Sequence, residues 1–551
     1  MLEQIESLVR RAKQAAEIIK KHDGMIRILA DYDCDGITAA AILVKALTRE
    51  EKSFHLTNMK QINREQIPEL ANIKESLLIF VDFGSGKLQE INQFLHDKDV
   101  IIIDHHLKHG EVGPRVFFVN PIEFGIEGDI SSSGVSYLVA RALGPQNKDL
   151  AEVAIIGAIG DSQVGSIGPH WGVYGVNAEI LRDAREAKKI RVSKGLRIWG
   201  RNSRPIHKAL ELSIDPYIPD VTGSESQAIQ FLQEIGIDPK KGDDWRTLSD
   251  LTFDEEKKLA SAIIIERIHS NHENPDWIFG EIYELVSKPP EFNNANEFAT
   301  MVNACGKLGK PALGIGICLN DPAAFLEIQS VLDKYRRKIG EGLKWVYSNK
   351  NLITKQDMGD YIITEDKVSE HLISNVISIL HKTWDEKRVL FGFANSERGI
   401  KISARSSGFL TKKGINLKEV LQEACKYLGG EGGGHAAASG GTIPAGSEKE
   451  FIKSAEQLLI EQLKLRGLKP SDLIEPKPEE TAQHEAAVLN KHLNNEDLNK
   501  QSINIPVLVD NYGKGTTSTR REEGRKEEPS RRQSPTSKKM EGKGLVQYFG
   551  S

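Results

Sequence analysis

Met25-Ile26-Arg27-Ile28-Leu29-Ala30-Asp31-Tyr32-Asp33-Cys34-Asp35-Gly36-Ile37-Thr38-Ala39-Ala40-Ala41-Ile42-Leu43-Val44 is the stretch on which the fold reading turns. As far as Ala30 it reads as a buried parallel strand, and from Ile37 as the start of an apolar helix. Three carboxylates, Asp31, Asp33 and Asp35, therefore sit at a strand's carboxyl end, where open α/β sheets place their ligands. If extended geometry continues, alternation puts all three side chains on one side. Anions packed that closely need a compensating cation, so a metal is the natural counter-charge. Taken alone, the same residues also suit a capped turn in which Asp35 merely starts a helix.

Working outward, three more apolar segments end in the same kind of chemistry. Ser76-Leu77-Leu78-Ile79-Phe80-Val81 runs into Asp82-Phe83-Gly84-Ser85-Gly86, and Val100-Ile101-Ile102-Ile103 into Asp104-His105-His106. Residues 153–160 are apolar and run into Asp161-Ser162. One acidic ending is commonplace because Asp caps helices, but four in one region are not accounted for by capping. Alternating apolar runs and helical patterns up to about residue 205 predict a parallel sheet covered on both faces. Asp33, Asp35, Asp82, His105 and Asp161 have the donor types for two divalent ions, and carboxylate with imidazole favours Mn2+ or Mg2+ over a thiolate-seeking metal. Two such ions can activate water and stabilise the leaving oxygen of a phosphoester. His106 is then free to donate a proton. Ser131-Ser132-Ser133-Gly134 suggests hydroxyls and amides offered to phosphate at a helix start, with Ser133 and Gly134 as candidates, or equally a plain helix cap.

The whole chain has 551 residues, 39% hydrophobic and 27% charged, enough for three to four domains with real cores. A net charge of −5 gives no global attraction to nucleic acid, so such binding must come from local patches. Four scattered cysteines exclude a disulfide framework and a CxxC zinc site. No run is apolar enough to span a bilayer, and the charged amphipathic start is unlike a secretory signal, so a cytoplasmic enzyme without membrane partners is expected.

The set DYDCDG, VDFGSG, DHH and GDS, in that order, resembles the DHH phosphoesterase superfamily, which includes RecJ-like exonucleases, nanoRNases and manganese pyrophosphatases. The resemblance implies Asp33, Asp35, Asp82, His105 and Asp161 as metal ligands, with Asp82 bridging, and Asp31 as the extra acid of the RecJ version, here given a catalytic role with His106. Where some members carry a further histidine ligand, this chain has Leu29. Asn303-Ala304-Cys305-Gly306-Lys307-Leu308-Gly309 resembles a stretch of the archaeal RecJ-like, GINS-associated nuclease branch, and as a loop it would offer Asn303 and nearby donors to substrate.

Between the motifs and the tail, three further features carry expectations. Basic residues crowd the window from Arg182 to Lys208; with Trp199 among them, Arg197, Arg201 and Arg204 suit a single-strand track, or simply a solvated face. Residues 206–300 read as a helical insert, a possible partner-binding module that the resemblance links to replicative helicase components such as GINS. From about 346 a smaller α/β domain follows a connector at 301–345. Its Arg405 and the run Gly432-Gly433-Gly434-His435 are placed to hold phosphate, as in the DHHA1 substrate-binding domain that they resemble. Residues 468–551 read as a disordered tail, ending in Leu545, Tyr548 and Phe549 with a spacing similar to a sliding-clamp (PCNA) peptide.

The expectation is therefore an α/β protein. It has a parallel-sheet DHH domain (1–205), a helical insert, a smaller DHHA1 domain (346–467) and a disordered C-terminal tail. Its implied activity is that of a metal-dependent hydrolase, an exonuclease taking terminal phosphodiester bonds of single-stranded DNA or RNA in replication or repair. A nanoRNase acting on very short oligonucleotides and a weakly active replisome scaffold are the alternatives.

Overall fold

A computed structural model describes residues 2–59, 66–167, 170–213, 216–270, 275–382 and 384–473. Leu545, Tyr548 and Phe549, and the tail from 474 onward, lie outside the described residues. The chain divides into two compact units, one through Ser348 and one from Asn349.

The first unit is built on five parallel strands, β1 (Ile26–Asp31), β2 (Phe54–Met59), β3 (Leu77–Val81), β4 (Asp99–Ile103) and β5 (Val116–Val119), in the order β2-β1-β3-β4-β5. All five residues of β3 are buried, as a strand covered on both faces requires. The chain leaves β1 for one neighbour and returns to its other side as β3, so the order reverses between β1 and β3. This is the switch point at which such sheets open a crevice. Register does the rest: Ala30 lies opposite Val81, and Val81 opposite Ile103. Asp31, Asp82 and Asp104, the next residues, therefore stand in a row across the carboxyl edge of the sheet.

The helix Cys34–Arg49 follows β1, capped by Asp33, and is buried over most of its length. It packs against two further apolar helices, Ser132–Leu143 and Ala151–Gly160. The second contains residues 153–160, the apolar segment that runs into Asp161, and Asp161 is its C-cap. The apolar run lacks polar alternation because the helix is buried on nearly every side.

Beyond a hairpin of β6 (Val164–Ile167) and β7 (His170–Val173), β8 (Ile190–Leu196) pairs antiparallel with the much later β11 (Phe279–Leu285). The segment between them carries a short hairpin, β9 (Lys240–Lys241) with β10 (Asp244–Trp245), and two main helices, Glu225–Glu234 and Phe253–His269. It has its own core, in which Leu196, Leu232, Ile263 and Ile278 meet. The expected helical insert is thus a mixed module closed by a β-ribbon, because its two ends zip together over seven residue pairs. The NACGKLG stretch is likewise no loop: it completes the helix Ala295–Lys307. The 27-residue helix Pro322–Ser348 ends the unit.

The second unit holds a six-stranded sheet, β12-β13-β14-β15-β17-β16, from β12 (Thr354–Lys355), β13 (Gly359–Ile363), β14 (Val389–Ser396), β15 (Gly399–Arg405), β16 (Glu431–Gly434) and β17 (Ala438–Ile443). Phe391 and Phe393 meet Phe451 edge-on in its core, and Leu473 packs there too, so residues 468–473 belong to this unit rather than to the tail. The glycine run is an edge strand, β16, rather than a flexible loop. Among the described residues no helix is long and apolar enough to cross a membrane.

One ion cluster ties the outer edge of the first sheet. Glu75 is 5% exposed and accepts from Arg27 Nη2 and His55 Nδ1, both at 2.6 Å. Burial alone would raise its pKa, but the His55 hydrogen bond, its own amide and Arg27 outweigh burial and bring it down to about 2. A carboxylate whose folded pKa is depressed stabilises the fold above its unfolded pKa, and that contribution is lost as pH falls from about 4.5 through about 2. Glu75→Gln is expected to cost on the order of 2 kcal/mol at pH 7. In urea titrations the gap to wild type should close on acidification; a gap unchanged at pH 3 would contradict the ion cluster.

Candidate metal centre

Both strand ends at the switch point contribute a carboxylate, and backbone amides anchor Asp31, Asp33 and Asp35. Asp31 Oδ1 accepts from Tyr32 N at 2.6 Å and Asp33 Oδ1 from Gly36 N at 3.1 Å. Asp35, in the first turn of its helix, accepts from Ser132 N at 2.7 Å and Ser133 N at 2.9 Å, the start of a neighbouring helix. Here the structure corrects the phosphate expectation. The amides of that helix start hold a carboxylate of the protein itself, Ser133 Oγ donates to Ala154 O, and Gly134 N is capped by Ser131. Ser133 is a fully buried support of Asp35, and Gly134 is buried beside it with its amide taken by Ser131.

Asp82 reaches the cluster by an unusual backbone. Its φ is +65°, a left-handed conformation rare for a non-glycine residue, and its amide still pairs with Ile103 O at 3.0 Å. Asp104, the next strand end, turns elsewhere. It is fully buried and accepts from His105 N (2.8 Å), His106 N (3.2 Å), His106 Nδ1 (2.8 Å) and Ser85 N (3.0 Å), thereby setting both histidines. Burial opposes its charge, but His106 and these hydrogen bonds hold its carboxyl well below the usual range. Conversely, burial works against charge on His106, yet Asp104, Asp161 and Asp31 carry its pKa up to about 10.

The ligand atoms converge. Three triads, Asp31-Asp33-Asp82, Asp35-His105-Asp161 and Asp82-His105-His106, each bring their atoms within 4.8 Å of one another, and Asp82 belongs to two of them. His105 Nε2 lies 3.6 Å from Asp161 Oδ2, 3.7 Å from Asp82 Oδ1 and 3.9 Å from Asp35 Oδ2. Burial and His106 lower the His105 pKa, which favours neutral imidazole, the ligand form. Both Asp82 Oδ1 and His105 Nε2 are buried with no hydrogen-bond partner. Two orphaned polar atoms facing each other among carboxylates fit a divalent cation, and little else in an amino-acid inventory would satisfy them. Leu29 lies in the core beneath the sheet, and Asp31 supplies the donor at this side of the cluster.

Several contributors had weak sequence signals. Gln163, two residues past Asp161, donates to Asp161 Oδ2 at 2.9 Å and is itself gripped by Asn177 at 2.7 Å. Asn120 ties Ser85 Oγ to the His106 carbonyl. Only Asp104 was visible, as the first letter of DHH. On the other side, the helix Ala295–Lys307 presses on the Asp31-Tyr32-Asp33 turn. A Cβ on Gly306 would stand 1.6 Å from Tyr32 O, and Lys307 Nζ sits 5.1 Å from the Tyr32 ring. Asn303, one turn earlier on this helix, keeps Oδ1 buried without a partner.

The predicted track is not brought together. Arg201 makes a two-pronged pair with Glu256 (2.8 and 3.1 Å), and Arg204 lies 3.9 Å over Trp199, with Arg336 at 5.9 Å. Burial and Arg336 lower the Arg204 pKa to about 10. Arg197 belongs to a different group, with Trp171 and Trp277. In the second unit, Arg405 Nε donates to Ser378 Oγ at 2.9 Å, and His435 is exposed at the β16–β17 turn. A Cβ on Gly432 would meet Leu421 O at 2.2 Å, whereas beside Gly433 there is open space.

A parallel sheet with an acid-and-histidine cluster at its switch point, followed by a mixed-sheet unit, defines a metal-binding α/β class, and the comparisons give the family. The DHH family N-terminal domain matches residues 25–159, the DHH-CID domain 198–277 and the DHHA1 domain 358–461. An uncharacterized protein of Methanocaldococcus jannaschii is 34% identical over 478 residues, 84% of this chain and 100% of that one. The single-stranded-DNA-specific exonuclease RecJ of Thermus thermophilus is 28% identical over 177 residues, 30% of this chain and 26% of that one. Its Bacillus subtilis counterpart is 30% identical over 163 residues, 27% and 21% of the two chains, so the match spans about a quarter of each exonuclease. Among solved structures, manganese-bound RecJ from T. thermophilus superposes with a TM-score of 0.50 at 18% identity, over 82% of this chain and 54% of that one. CDC45 from Entamoeba histolytica gives 0.58 at 10% identity, over 82% and 99%. At such identities the likeness is one of fold. The chain belongs to the DHH family, as a RecJ-like DHH/DHHA1 protein.

Burial and neighbouring acids raise the Asp31 pKa to about 8, and burial with Asp35 and Asp33 pushes Asp82 and Asp161 well up. The folded chain therefore binds these protons more tightly than the unfolded one. Without metal, stability is expected to fall as pH rises from about 4 to about 8, and saturating Mn2+ should remove that slope. Thermal melts in EDTA and in Mn2+ across this range read it; a metal-free Tm that climbs with pH would contradict the cluster. Gly306→Ala should cost about 1–3 kcal/mol and weaken Mn2+ binding by shifting the Asp31 turn. Unchanged Mn2+ affinity by calorimetry would show that the turn stands without this contact.

Proposed function

We propose that this protein is a metal-dependent exonuclease that hydrolyses terminal phosphodiester bonds of single strands, DNA foremost, and serves DNA replication or repair. The observation that carries the reading is the pair of unpartnered buried atoms, Asp82 Oδ1 and His105 Nε2, inside a cage of four further aspartates. The partial matches to single-stranded-DNA-specific exonucleases supply the substrate class.

Asp31, Asp33, Asp35, Asp82, His105 and Asp161 would hold two divalent ions, Mn2+ or Mg2+, Asp82 being common to two of the candidate triads. Bound there, the ions would lower the pKa of water and draw charge from the phosphate oxygens. Asp35 is kept in place by the Ser132 and Ser133 amides, and Asp161 by Gln163. His106, kept protonated through neutral pH by Asp104, is the group we assign to give its proton from the imidazole to the departing oxygen. Asn303 Oδ1, buried and unpartnered, has an acceptor to offer a sugar or base. In the second unit, Arg405 and the edge formed by Gly432, Gly433, Gly434 and His435 are the groups we assign to phosphate; Gly433 leaves room for one to approach the backbone.

The test is cleavage of 5′- and 3′-labelled DNA and RNA, single- and double-stranded, in Mn2+, Mg2+ or EDTA. Metal-dependent release of mononucleotides from single strands is expected, and Asp82→Ala should lower the rate by more than about a hundredfold. Cleavage confined to dinucleotides would favour the short-oligonucleotide reading. No cleavage with any metal, and no effect of Asp82→Ala, would leave a scaffold with the CDC45-like fold.

A further inference from the structure

Trp171, Arg197 and Trp277 form a group that stands apart from the metal-centre residues described above. Trp171 lies on β7, Arg197 just past β8, and Trp277 just before β11. The Arg197 guanidinium stands 4.6 Å from the Trp171 ring centroid and donates from Nη2 to Trp277 O at 2.6 Å. The two indole centroids are 6.2 Å apart, inclined at 54°. The arrangement needs Gly280: a Cβ there would stand 2.5 Å from Arg197 Cδ and 2.9 Å from Trp171 O, so glycine leaves the slot in which the arginine crosses β11. Trp277 nevertheless remains 40% exposed and Trp171 half-buried, although burial is where tryptophan is ordinarily found.

The hairpin carrying Trp171 starts at Val164, three residues after Asp161, and its far end returns to Tyr174, which feels the charge of Asp161. The group is thus one short hairpin away from the cluster of acids. Two neighbouring indoles with a guanidinium beside them suit an unpaired nucleic acid strand: bases stack on exposed ring surface and phosphate meets the cation. An apolar protein partner would prefer a face without the charge.

We infer that Trp171, Arg197 and Trp277 form a base-stacking step for single-stranded nucleic acid leading to the metal centre. This rests on the exonuclease reading and concerns a different group from Trp199, which lies with Arg204 and Arg336. Bases stacked on these rings would quench indole fluorescence and resist removal by salt more than phosphate contacts do.

The test uses the full chain in EDTA, with a fluorescent thymidine strand of about twenty nucleotides and the same strand carrying abasic linkers. Trp171→Ala with Trp277→Ala should weaken binding of the normal strand about tenfold or more and hardly change that of the abasic strand, while the Phe pair restores most of the affinity. In turnover with Mn2+, KM for the long strand should rise at least about tenfold more than KM for a dinucleotide. Equal losses on normal and abasic strands, or no loss from the Ala pair in a normally melting protein, would overturn the stacking step. A wild-type chain that cleaves long strands while the Ala pair binds them normally sinks this inference alone. A wild-type chain that cleaves none sinks the exonuclease reading, whatever the binding result.

Discussion

Concentrating negative charge at one edge of a β-sheet is the constraint that the first unit is built to meet. Asp31, Asp33, Asp35, Asp82 and Asp161 would repel one another apart, and burial strengthens the repulsion because little water is left to screen it. The fold answers with backbone amides. Asp31, Asp33 and Asp35 each accept from N–H groups at turns or helix starts, and the first two amides of Ser132–Leu143 are spent on Asp35. What the amides leave over is a set of lone pairs with no donor, and that remainder has the shape of a cation site.

Much of the surrounding structure can be understood as keeping this edge rigid. The helices Cys34–Arg49, Ser132–Leu143 and Ala151–Gly160 pack on one another through apolar faces, and each begins or ends at a residue of the cluster or its support. The left-handed Asp82 persists because its amide is locked to Ile103 on one side and its strand is buried on both faces. Asp104 contributes nothing to the cage directly, yet the three hydrogen bonds that it accepts from His105 and His106 fix where they stand.

The basic window illustrates the opposite case, in which charge that looks available is already used. Arg201 and Arg246 are paired to Glu256 and Glu255, acids of the helix Phe253–His269, and Lys208 to Glu225. A local excess of cations in sequence is neutralised in space by acids as many as 55 residues away. Arg197 crosses the ribbon toward Trp171 where Gly280 leaves room for its side chain.

The parallel sheet, its strands and the acids at their ends were legible from local pattern alone, since a buried strand needs an unbroken apolar run and a ligand acid needs only to follow it. Local pattern is silent where periodicity is: a helix buried on nearly all sides and a buried strand share one apolar pattern, so residues 153–160 read only as an apolar segment and packing decides that they are a helix. The glycine run looked like a loop because glycine marks both loops and crowded edges, and only its pairing with β17 decides which. Ser133 and Gly134, the Trp199 environment and the Trp171-Arg197-Trp277 group depend on which residues meet across long separations. By itself the sequence determined that acids and a histidine end several elements of one α/β unit. Tertiary structure decided which oxygens the backbone claims and which stay free, because hydrogen-bond satisfaction is a property of neighbours in space rather than in the chain.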